Sequence, residues 1–110
     1  MMRNFRKYDI YNEALIIATI VYGITKSFPK IEQFALTNQL NRAVVSIASN
    51  IAEGSSRESE KDFARFLEIS LGSVYEVETQ LLIAKNLGYV QDKDIKDVLG
   101  RITKLERQIN

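Results

Sequence analysis

The stretch from Leu36 to Gly54, LTNQLNRAVVSIASNIAEG, constrains this chain more than any other, because it has helical periodicity and no charge between Arg42 and Glu53. Wound as a helix, it sets Gln39, Arg42, Ser46, Asn50 and Glu53 three or four apart in one polar file, beside a second file of Leu36, Leu40, Ala43, Ile47 and Ile51. The third side holds Val45, Ala48 and Ala52, so little of this helix is suited to water. Such a helix is covered by neighbours on most of its sides.

The rest of the chain can supply those neighbours. A first helix is expected from about Asp9 to Lys26, with Asp9 as N-cap and Ile10, Ala14, Ile17, Val21 and Ile24 on its inner face. Pro29, the sole proline, ends it, since proline cannot continue a helix and disfavours helical backbone at Phe28. The second helix begins either just after Pro29 or at Thr37, whose hydroxyl can cap it, and is expected to close at Gly54 in a left-handed turn. Ser59 and Asp62 resemble a capping box that opens a third helix, with Phe63, Phe66, Leu67, Ser70, Val74, Val77, Leu81 and Ala84 as its seam and Gly88 as its stop. Asp92 is then expected to cap a fourth helix, whose Ile95, Val98, Leu99, Ile102, Leu105 and Ile109 form the cleanest apolar stripe in the chain. Four such helices on short connections predict an all-α, antiparallel up-down-up-down four-helix bundle, with residues 1–110 as a single domain.

Composition narrows the chemistry. There is no cysteine and no histidine, so the usual thiol nucleophile, imidazole base and soft metal ligands are all missing. Fifteen Lys and Arg against fourteen Asp and Glu leave a formal charge of +1, which argues against a uniformly basic coat but permits a local patch. The longest apolar run, Ala14 to Tyr22, falls short of the ~20 residues that span a bilayer, and the opening MMRNFRKYDI lacks the apolar core of a secretion signal. The expected location is the cytoplasm, with no membrane partner and no cofactor.

Candidate site residues fall into four groups. Glu53, Glu68, Glu76 and Glu78 suggest a carboxylate metal site, but bundle metal centres of that class use Glu-x-x-His repeats, and no histidine is present. Ser46, Ser70 and Ser73 are the available nucleophiles, although small hydroxyls on helix seams also serve close packing. The polar file Gln39, Arg42, Ser46, Asn50 and Glu53 reads as a structural or interface network, because buried polar groups must be hydrogen-bonded, with a ligand groove as the alternative. Cations gather near both ends of the chain, Arg3, Arg6 and Lys7 with Arg101, Lys104 and Arg107. They read as solubilising charge or, if the first and last helices are neighbours, as one patch for RNA or DNA phosphates.

Several strings resemble a known family. Phe28-Pro29-Lys30 with Glu32, Leu36 to Ala43, Ser46-Ile47-Ala48-Ser49-Asn50-Ile51-Ala52-Glu53-Gly54, Gly72-Ser73 with Glu76, and Leu87-Gly88-Tyr89 resemble the four-helix bundle proteins encoded in intervening sequences of bacterial 23S ribosomal RNA genes. The resemblance spans nearly the whole chain. It implies a homo-oligomer, a pentameric ring or barrel, with no established enzymatic activity. It also implies kinship with the accessory variability determinant protein of diversity-generating retroelements, a basic pentamer that binds nucleic acid and a reverse transcriptase.

Overall fold

The computed structural model describes residues 3–110. Four helices make up most of it: α1 over Asp9–Thr25, α2 over Leu36–Ser55, α3 over Glu60–Asn86 and α4 over Asp92–Ile109, with short 3-10 turns at Phe5–Lys7 and Lys30–Glu32. Among the described residues there is no strand. Each helix packs on two others, α1 on α2 and α4, and α3 on α2 and α4, so α1 and α3 stand at diagonal corners.

Side-chain pairs give the directions. Along α2 and α3, Gln39 meets Gln80, Ser46 meets Ser73 and Ile47 meets Ser70, one number rising as the other falls. Thr25, at the end of α1, donates to the Asn41 side chain near the start of α2, while Arg3 reaches the Arg57 carbonyl just beyond α2's other end. Lys85 pairs with Asp92 across the last turn, and the end of α4 at Ile109 and Asn110 lies with Ala64 and Leu67 near the start of α3. Consecutive helices therefore alternate in direction, as the short connections require.

The core is one continuous apolar cluster. Ile17, Val21, Leu40, Val44, Ile47, Ile51, Val74, Val77, Leu81, Ile95, Ile102 and Leu105 are completely buried within it. Phe28 and Tyr89 close one end of the cluster, their rings 5.6 Å apart. The Tyr89 hydroxyl donates to the Glu32 carboxylate at 2.6 Å, and that bond holds the phenol above its ordinary pKa.

Helix ends follow the expected residues in part. Ser59 caps α3 by accepting from the Asp62 amide, and Gly88, at φ +82°, is followed by the Tyr89 amide bonding back to Ala84, which forms a Schellman close. Asp9 is the first residue of α1 and not its cap, although its charge still complements the positive helix end. Thr37 does not cap α2; the Glu32 carboxylate accepts from the Leu36 amide instead. Gln91, one residue ahead of Asp92, is the N-cap of α4, and the Asp94 carboxylate accepts from its backbone amide at 2.9 Å. Gly54 is the instructive departure. It lies inside helical backbone and not in a left-handed turn, and a glycine is needed there because α3 occupies the space where a side chain would be.

Candidate functional site

The polar file of α2 splits into two parts. Ser46 and Asn50 face α3, where the Ser46 and Ser73 hydroxyls are 2.9 Å apart and the Asn50 amide donates to both the Ser46 carbonyl and its hydroxyl at 2.8 Å. One turn away the fully buried Ser70 hydroxyl donates to the Ile47 carbonyl at 2.9 Å. The Ser46–Ser73 and Ser70–Ile47 bonds stitch α2 to α3 through side chains short enough to let the backbones approach. Nearer the start of α2, the Gln80 amide reaches Gln39 at 3.5 Å and Glu76 at 3.4 Å, both long contacts, while its buried carbonyl oxygen has no partner among the described residues.

Arg42 and Glu53 stand on the outer rim of this seam, exposed, where the spacing suggested burial. Glu53 pairs with Arg57 at 3.1 Å, and Arg42 forms no ion pair among the described residues. Arg42 overhangs a shallow groove of about 350 Å³ walled by Asn38, Gln39, Ser46, Ser73 and Glu76. None of the hydroxyls of Ser46, Ser70 and Ser73 is hydrogen-bonded to a carboxylate or a lysine, the arrangement that activates a nucleophile. Among the described residues no three carboxylates converge on a point that would hold a metal.

One acidic residue escaped the sequence reading. Glu106 on α4 turns toward Glu78 on α3 with one carboxylate oxygen fully buried and without a hydrogen-bond partner, and burial together with Glu78 pushes its pKa up to about 7. Spacing did carry a signal for it: Glu106 comes four residues after Ile102 and three before Ile109, so it falls on the apolar stripe of α4 and not among its solvated residues.

The six cations proposed for phosphate contact differ in their freedom. Arg3 is held by Glu60 and the Arg57 carbonyl and stacks over Phe63, while Arg6 stacks over its neighbour Phe5. Arg101 bonds both oxygens of Glu13 on α1 at 3.0 and 3.3 Å and Asp97 at 3.3 Å, which raises its pKa further. Lys7, Lys104 and Arg107 are exposed and, like Arg6, have no carboxylate partner among the described residues. Lys104 shares an open groove on the back of α4 with Lys93, Lys96 and Arg101.

Apolar side chains are also exposed, Ile31 and Phe34 ahead of α2 at 86% and 87% and Val45 on α2 at 44%. On α1, Leu15, Ile16 and Tyr22 are 43–44% exposed; on α3, Ile69, Tyr75 and Ile83 are 44–48% exposed.

Against known proteins, a family model described as 23S rRNA-intervening sequence protein matches residues 6–110. The chain belongs to that family. The fold is also that of a solved protein of unknown function from the S23 ribosomal protein family of Bacteroides thetaiotaomicron, with a TM-score of 0.83 and 22% identity over 91% of this chain and 94% of that one. At that identity the likeness speaks to the fold alone. No curated protein matches the sequence. In this member of the 23S rRNA-intervening sequence family, the string from Ser46 to Gly54 is the strip by which α2 lies on α3. Among the described residues, no helix is long and apolar enough to cross a membrane.

Proposed function

We propose that this chain is a non-enzymatic, self-assembling bundle that works in the cytoplasm as an interaction or accessory module, its single domain closing with copies of itself into a ring. Five copies is the number the family resemblance implies. The observation that carries the reading is the apolar surface left on α1 and α3 after the core is complete. Exposed apolar surface on this scale usually marks an interface, and self-contact is the commonest way to cover it. Association stabilises the folded chain by mass action, so the unfolding midpoint should rise as protein concentration is raised about a hundredfold. A midpoint independent of concentration contradicts self-assembly.

A second reading makes the protein an accessory to RNA or DNA, acting alone or with a nucleic-acid enzyme such as a reverse transcriptase. The free cations Arg6, Lys7, Lys104 and Arg107, with Lys93 and Lys96 beside Lys104, favour it. Phosphate contacts release counterions, so such binding should weaken steeply with salt. Failure to retard structured RNA or DNA at low salt removes this reading.

A further inference from the structure

The two exposed apolar faces lie on diagonal corners of the bundle, and they lie at the same height. The Tyr8 ring, one residue before α1, sits 6.1 Å from Phe63 near the start of α3. The same number of residues further along each helix, Thr25 is level with Gln80, because α2 joins them through Asn41 and Gln39. Leu15, Ile16 and Tyr22 therefore look outward from one side at the level where Ile69, Gly72 and Tyr75 look outward from the other.

Glycine supplies the second observation. Gly54 is explained within the chain, since a side chain there would strike Phe66. Gly23 on α1 and Gly72 on α3 are not, because a Cβ at either meets nothing within 4 Å, yet mid-helix glycine weakens a helix relative to alanine. Gly72 lies on the outward face of α3 beside Tyr75 and Ile83, and Gly23 edges the α1 face where it borders the connection between α3 and α4. A bare backbone there suits the close approach of another helix.

Charge gives the third. Lys26, at the end of the α1 face, and Glu76, on the α3 face, are exposed and form no ion pair among the described residues. On facing helices of equal height they would stand about 7.5 Å apart along the axis, at 1.5 Å rise per residue, within reach of a lysine side chain.

We infer that the outward face of α3, centred on Gly72, receives the outward face of α1 of a second copy, so that each copy uses two different surfaces. This rests on the self-assembly reading and specifies its interface. Because the faces differ, the contact is head-to-tail and repeats from copy to copy, closing into a ring when each step turns the next copy by an equal fraction of a full circle, whereas one face meeting itself would stop at a dimer.

Complementation tests it. Tyr22→Arg places a charge on the α1 face and Gly72→Leu fills the α3 face, and both sites are open enough that each variant should keep the parent's helical circular dichroism. Each variant alone should be monomeric, and an equimolar mixture should form a pair of twice 12.6 kDa through the one face left intact on each partner. Gly100→Ala, on the charged back of α4 where a Cβ also meets nothing, should assemble like the parent. If Tyr22→Arg or Gly72→Leu still assembles like the parent, or if the mixture forms no pair, the α1-on-α3 interface is wrong while self-assembly stands. A parent that is itself monomeric removes both.

Discussion

Gly54 on α2 and Phe66 on α3 approach so closely that a Cβ on the glycine would lie 2.6 Å from the phenylalanine Cβ, with a Phe63 ring carbon at 3.2 Å. A Cβ cannot swing aside as the end of a flexible side chain can, so the helices themselves must move to admit one. Gly54→Ala is therefore expected to destabilise the fold by about 2 kcal/mol, despite alanine's better helix propensity. Urea unfolding measures it. An alanine variant as stable as the parent would show that α2 and α3 are not in this contact.

The serines of the seam make a second prediction. Ser70→Ala removes a buried donor to the Ile47 carbonyl and should cost about 1 kcal/mol. Ser46→Ala and Ser73→Ala should be non-additive, with a coupling of about 0.5–1 kcal/mol in a double-mutant cycle, because their hydroxyls bond each other. Strict additivity would place the two hydroxyls apart.

These residues also show how far the sequence could be read. The helices and their order were legible, since Ile17, Leu40, Ile47, Val74, Leu81 and Ile102 repeat at helical spacing and the structure buries them all. Gly88 was legible as a stop because a left-handed closure favours glycine, and no neighbour has to be known. Gly54 looked the same in sequence but answers to Phe66, which lies across the bundle, and spacing along one helix carries no information about a partner on another. The polar file shows the same division: its period is correct, but burial depends on how α2 is rotated against α3. That rotation covers Ser46 and Asn50 and leaves Arg42 and Glu53 on the rim.

Glu106 gives the fold a pH dependence. Its pKa rises from an ordinary 4.5 to about 7 in the folded chain, first through burial and then through Glu78. The folded state thus holds a proton that the unfolded state has released between those values, and the resulting stability is full below about 4.5 and is lost as pH rises through about 7. The thermal midpoint should be higher at pH 6 than at pH 8, and Glu106→Gln should flatten that difference and raise stability at pH 8. An unchanged pH profile in the glutamine variant would take the effect away from Glu106.

In the proposed assembly this 23S rRNA-intervening sequence family member covers its exposed α1 and α3 faces with copies of itself. Light-scattering mass at micromolar concentration tests it most directly. The expected result is a discrete species at a whole multiple of 12.6 kDa, five being the number that the family resemblance implies. A stable species at 12.6 kDa across that range would contradict it.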